Sequence, residues 1–168
     1  LVTYLFGIVP NMEEIINLKN KDIKIIEDFS QCLNGEFKQK KIGSFSDISI
    51  YSCSSIKTID TFGGGLLLTN NISYFNEIVN ETKNLKKPSR FFLIKKILIN
   101  LVRNILTNFY IFNFITYYLL LLLSSFKNNT KMLGGREQTP IKSLPKFWFQ
   151  KYTSIQAEAG NKFLKKLD

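Results

Sequence analysis

The sequence predicts an α/β fold with a largely parallel sheet. Two observations carry this. Short apolar runs alternate with helix-like segments through the first half of the chain. Two of those runs pass directly into polar residues at Asp28 and Ser52, as strands do where a parallel sheet presents a site at its carboxyl edge. The length, 168 residues, is enough for one domain with a real core.

The elements follow in order. Val2–Phe6 reads as a buried strand closed by Gly7 and Pro10. Asn11 is placed to cap a helix over Met12–Asn20, with Glu13 and Glu14 where the helix dipole favours acids. Ile23–Ile26 is the next strand, with Glu27 and Asp28 at its carboxyl end, and Phe29–Leu33 reads as a helical turn. Phe37–Gly43 alternates weakly and is basic, as in an exposed hairpin. Asp47–Tyr51 and Leu66–Thr69 are the third and fourth strands. Ser73–Asn84 has a helical face of Phe75, Ile78, Val79 and Thr82.

From within the third strand to the start of the fourth runs the stretch Ser49–Gly65, which sets Lys57 between a serine cluster and three glycines. A shielded lysine becomes a nucleophile when its pKa falls. Serines and glycines let a backbone wrap a phosphate closely. The plainer alternative is a surface lysine in a Ser/Gly turn. A phosphate-binding loop of the GxxxxGK[ST] kind is absent.

Composition narrows the chemistry. There is no histidine, which excludes a Ser-His-Asp triad and His-based metal sites within this segment; no metal site is expected. Cys32 and Cys53 form no CxxC pair and suit a reducing cytosol. The formal charge is +10, yet all of the excess falls in Thr82–Arg136, which has ten basic and no acidic residues. That imbalance argues against a general nucleic-acid binder.

Taken together, Ile26–Gln31, Gly43–Asp47, Tyr51–Lys57 and the Gly64-Gly65 pair before a strand resemble the DegT/StrS family of pyridoxal-phosphate-dependent nucleotide-sugar aminotransferases. Tyr4–Pro10 looks like the family's strand and turn just upstream. The resemblance covers residues 1 to about 84 and resumes at Ser154–Ala157 and Leu164–Asp168. It implies part of the large domain of pyridoxal-phosphate fold type I, a mostly parallel sheet flanked by helices. It also implies that Lys57 holds the cofactor as a Schiff base and moves protons, while Asp28 pairs with the pyridine nitrogen. Gln31 would lie near the ring, and Ser52 would bind the phosphate.

The activity it implies passes an amino group, from glutamate, to a nucleotide-linked keto-sugar in polysaccharide or glycoconjugate biosynthesis, in a homodimer. Lys57 fits the aminotransferase branch rather than the dehydratases, in which a histidine replaces the lysine. Two positions depart from the family pattern. Gly63 stands where Glu is common before Gly-Gly, and Phe149 stands near where an asparagine commonly reaches the partner subunit's cofactor phosphate. These departures leave open a catalytically silent homologue that acts as a membrane-associated binding or scaffold protein.

Residues 88–131 form a basic, apolar helical insertion between residues 1–87 and a linker and exit helix over residues 132–168. Phe91–Thr107 is amphipathic, and Asn104–Phe126 runs 23 residues without a charge. The length would span a bilayer, but a single span would put the two halves of one fold on opposite sides. A shallow dip or a flat helical pair at a membrane surface, through residues 91–126, is therefore expected. The alternative is packing on the protein or in a dimer interface. The expected location is the cytoplasm, peripheral on the inner face of the cytoplasmic membrane. Met132–Pro145 reads as a Gly/Pro linker, and Lys146–Phe149 as an aromatic run packed in a core or on the insertion. The start at Leu1, with no Met, and the helix-like end at Asp168 make both ends read as cut, so this piece alone is expected to be inactive.

Overall fold

A computed structural model describes residues 1–18, 23–54, 56–127, 143–144 and 148–166. The chain divides into two compact units, Leu1–Pro88 with Phe149–Asp168, and Ser89–Trp148.

The first unit is built on a four-stranded sheet. Its strands are β1 (Val2–Thr3), β2 (Ile26–Asp28), β5 (Ile48–Ser52) and β6 (Gly65–Leu68), in spatial order β1-β2-β5-β6. The first three run parallel, and β6 is antiparallel to β5. A separate hairpin pairs β3 (Glu36–Phe37) with β4 (Lys40–Lys41), where the alternating basic stretch predicts one. The fold is therefore α/β with a mostly parallel sheet. Its helices are α1 (Met12–Asn17), α2 (Ile72–Lys83) and α6 (Ser154–Leu164).

The third and fourth strands and α2 shift by one residue from the sequence reading and α1 ends at Asn17, but the first two strands differ most. The first strand stops at Thr3, and Leu5–Gly7 turns as a 3-10 helix with Phe6 at φ 55°. The second strand is Ile26–Asp28, so Glu27 and Asp28 belong to the strand rather than following it. The reason lies in Glu27. Its carboxylate is fully buried and accepts from Tyr4 Oη (2.6 Å) and from the backbone N–H groups of Gly43 (2.7 Å), Phe45 (2.9 Å) and Ser46 (2.8 Å). A buried carboxylate is tolerable only when its lone pairs are so satisfied. Burial pushes its pKa up, but these hydrogen bonds outweigh burial and the net shift is down. The Tyr4 hydroxyl is raised, by burial first and then by its bond to Glu27.

Around this pair packs the core: Tyr4, Met12, Phe29, Cys32, Ile42, Tyr51, Cys53 and Ile59. The α2 helix is capped by Asn71, whose side chain accepts from the N–H groups of Ser73 and Tyr74. Its apolar face stays largely open, with Phe75 and Val79 exposed.

The second unit contains α3 (Arg90–Leu106), then α4 (Phe109–Ile111), a π-helical stretch Phe112–Thr116 and α5 (Tyr117–Lys127). The Arg90–Leu106 and Phe109–Leu123 segments are bent by 66° at the break. The expected linker over Met132–Pro145 lies almost wholly outside the described residues, as does the boundary at 131/132. Trp148 and Phe149 are exposed, not packed as core.

Candidate functional site

Register decides which side chains share a face. Asp28 is opposite Ile50 across the parallel β2–β5 pair, and Ser52 lies two residues further along β5. Successive strand residues alternate faces. Asp28, Ile50 and Ser52 therefore project on one face, and Glu27, Ser49 and Tyr51 on the other. The second group meets the core, where Glu27, Ser49 and Tyr51 are buried. Asp28 and Ser52 remain half-buried at the carboxyl edge.

Hydrogen bonds tie the two strand ends together. Ser52 N–H donates to Ser30 Oγ (2.8 Å), and Ser30 N–H donates to Asp28 Oδ1 (3.0 Å). Phe29 N–H donates to the Ile50 carbonyl (3.2 Å). Asp28 Oδ2 finds no further partner among the described residues. Gln31 is exposed and reaches the opposite way, accepting from Phe6 N–H at 3.2 Å. Thus Asp28 and Ser52 are brought together, whereas the Gln31 side chain is engaged with the turn after β1.

Beyond Ser52 the chain makes a loop that returns as β6. Lys57 N–H donates to the Ser54 carbonyl (2.9 Å), closing a turn that leaves the lysine half-buried. Its ammonium has no hydrogen-bond or ion-pair partner among the described residues. The loop is pinned on Cys53, whose carbonyl accepts from Thr61 N–H (3.1 Å) and Gly63 N–H (3.2 Å) and whose N–H donates to Gly64 O (3.0 Å). Burial pushes the Cys53 thiol up, against the bonds from Thr61 and Tyr152.

Glycine is required at the end of this loop. Gly64 has φ +85°, and a Cβ there would lie 2.7 Å from the Tyr152 ring. A Cβ on Gly65 would lie 2.8 Å from the Tyr51 carbonyl oxygen, a backbone atom that cannot yield. Gly63 is at φ 115°, a conformation that disfavours the Glu common in the family pattern.

A second clamp comes from far along the chain. Gln156 is buried at the start of α6, and its Nε2 donates to the carbonyls of Thr61 (3.2 Å) and Gly63 (3.1 Å). Its Oε1 accepts from Thr153 N–H (3.1 Å), completing a capping box. Tyr152 Oη donates to Thr61 Oγ1 (2.7 Å). Burial raises the Tyr152 hydroxyl's pKa. The sequence reading missed Thr61, Tyr152 and Gln156 as holders of the lysine loop. The Thr153-x-x-Gln156 spacing marks the cap, but nothing local marks the contact across about ninety residues.

The donor set is an amine, a carboxylate with one oxygen uncommitted, and strand-end hydroxyls. Among the described residues no cluster of Cys, Asp and Glu could hold a metal ion. Phe149 is exposed and carries no side-chain donor, while the neighbouring Gln150 pairs through its backbone with Lys86.

Comparison with known proteins agrees on one family. The sequence pattern of the DegT/DnrJ/EryC1/StrS aminotransferase family matches residues 1–87. A UDP-4-amino-4,6-dideoxy-N-acetyl-beta-L-altrosamine transaminase of Campylobacter jejuni (serotype O:23/36, strain 81-176) is 42% identical over 76 residues, 45% of this chain and 19% of the relative. A GDP-perosamine synthase of Escherichia coli O157:H7 is 32% identical over 81 residues, 48% of this chain and 22% of the relative. These alignments span only about a fifth of each curated relative. The crystal structure of an aminotransferase from Psychrobacter cryohalolentis superposes with a TM-score of 0.57 at 18% identity, covering 98% of this chain and 32% of that one. At that identity the likeness establishes the fold.

Proposed function

Because the chain belongs to the DegT/DnrJ/EryC1/StrS aminotransferase family, we propose that the protein is a pyridoxal-phosphate-dependent aminotransferase acting on a nucleotide-linked keto-sugar. Glutamate is the proposed amino donor and a homodimer the proposed assembly. Two relatives are named for UDP- and GDP-linked sugars, which supports that substrate class. The observation that carries the reading is the placement of Asp28 and Ser52 on one face of the sheet, with the Lys57 loop rising from the same strand end.

The residues present suit the cofactor. Asp28 keeps one oxygen free to accept from a pyridinium N–H, and the Ser52 hydroxyl is available to donate to a phosphate. Gln31 is proposed to lie near the ring once the site is complete. Bound pyridoxal phosphate supplies an electron sink for charge that develops at the amino-bearing carbon. Asp28 would hold the ring nitrogen in its protonated form by charge pairing. Lys57 Nζ would anchor the cofactor and, once freed, would take up and return a proton. The chain has no histidine to share that task. Thr61, Tyr152 and Gln156 hold the far end of the lysine loop.

Phe149 favours a second reading, a silent homologue, because its side chain offers no donor to a phosphate. Absorbance separates the two. Full-length protein mixed with pyridoxal phosphate should develop the visible band of the lysine-bound cofactor, and Lys57→Ala should lack it. Absence of the band in the unaltered protein overturns the enzyme reading.

A further inference from the structure

The helices of the second unit are inside out for a protein in water. Along α3, Leu93, Lys96, Asn100 and Arg103 form one stripe at helical spacing, and this is the covered stripe. Asn100 is 4% exposed, and Lys96 and Arg103 are half-buried. The open face carries Phe91 (77% exposed), Ile94, Leu98, Val102 and Ile105. A water-facing amphipathic helix has the reverse arrangement.

The next helical segment goes further. Thr116 is its buried residue, while Phe109, Phe114, Ile115, Tyr118 and Leu122 point outward around the helix. Most large apolar side chains from Phe91 to Leu123 are open in this way. The largest apolar patch on a typical monomer is only about 300–600 Å².

We propose that the Arg90–Leu123 helical pair docks on an anionic lipid bilayer, lying in one leaflet at the cytoplasmic face. Charge complementarity argues for this occupant. No acidic residue occurs between Thr82 and Arg136, and Arg90 and Lys95 are exposed beside the apolar face of α3. Such basic residues favour anionic headgroups.

Geometry limits the depth. Among the described residues no single helix is long and apolar enough to cross a membrane. At about 1.5 Å per residue, α3 reaches about 25 Å and Phe109–Leu123 about 22 Å, each short of a hydrocarbon core about 30 Å thick. The 66° bend lets one arm lie flat and the other enter obliquely. A second copy of this chain fits less well. A dimer seam covers one stripe, whereas apolar side chains surround the second arm. Pairing two copies would also bring together segments of the same sign.

This inference goes beyond the transamination reading and does not rest on it. The test is flotation of the full-length protein with vesicles of phosphatidylcholine alone and of phosphatidylcholine mixed with phosphatidylglycerol. The protein should float with the mixed vesicles and far less with the neutral ones. Arg90→Gln with Lys95→Gln should weaken binding to the mixed vesicles about thirtyfold, the effect of two near-surface basic residues. Leu98→Asp with Val102→Asp, both at exposed positions, should abolish flotation while leaving the elution volume in gel filtration unchanged. Failure of the unaltered protein to float overturns the proposal. So does an apolar double variant that still floats but elutes at half the mass, which assigns the face to a second copy.

Discussion

Replacing Gln156 with leucine should loosen the lysine loop without unfolding the protein. The side chain makes two bonds to loop carbonyls, at Thr61 and Gly63, and completes the cap of α6 through Thr153. Each neutral hydrogen bond is worth about 1 kcal/mol net, more when a buried partner is left unpaired. Loss of a helix cap costs about 1 kcal/mol. The sum is roughly 3 kcal/mol, against a usual stability of about 5–15 kcal/mol. Gln156→Glu separates the two roles: it keeps the capping oxygen but has no N–H to give the loop. Hydrogen exchange on full-length protein reads the result. Both variants should speed exchange of the Thr61 and Gly63 amides, which donate to Cys53 O. Only Gln156→Leu should also speed exchange in the first turn of α6. Cofactor affinity should fall in both, since small misplacements of a reacting group are costly. Unchanged exchange in Cys53–Gly65 with either variant would refute the clamp.

Other consequences can be checked alongside. Glu27 titrates below its ordinary value in the fold, so it stabilises the protein above the usual carboxylate pKa. That stability is lost as pH falls through the lowered value. Tyr4→Phe removes one of the bonds that lower it and should cost about 1.5–3 kcal/mol, with acid unfolding beginning at higher pH; acid titration by circular dichroism would show this. Gly65→Ala forces a Cβ against the Tyr51 carbonyl and should cost about 1–3 kcal/mol in chemical denaturation. Asp28→Ala should leave the fold intact, because among the described residues its side chain bonds only to Ser30 N–H, but weaken cofactor binding measured by equilibrium dialysis.

Much of this was legible from residue patterns, and the exceptions have physical causes. The α3 helix was readable because its apolar positions repeat at helical spacing, and it differs by one residue at each end from the span read in the sequence. The strand at Ile26–Asp28 was misplaced by its apolar prefix. A carboxylate inside a strand becomes acceptable only through donors from Tyr4, the 43–46 loop and Ser49, which local pattern does not reveal. Asp28 and Ser52 were readable as strand-end polar residues. That they share a face depends on the β2–β5 register, which only tertiary structure supplies. Polarity misleads most in α3. The sequence marks the helix as amphipathic, but not that Asn100 is on the covered side.

The central claim is that Lys57 is the residue that takes the cofactor. Full-length protein incubated with pyridoxal phosphate, reduced with borohydride and digested, can be read by mass spectrometry. The account predicts a pyridoxyl group on the peptide carrying Lys57, with Asp28→Ala reducing its yield at limiting cofactor. Labelling spread over the surface lysines, or none at Lys57, would contradict it.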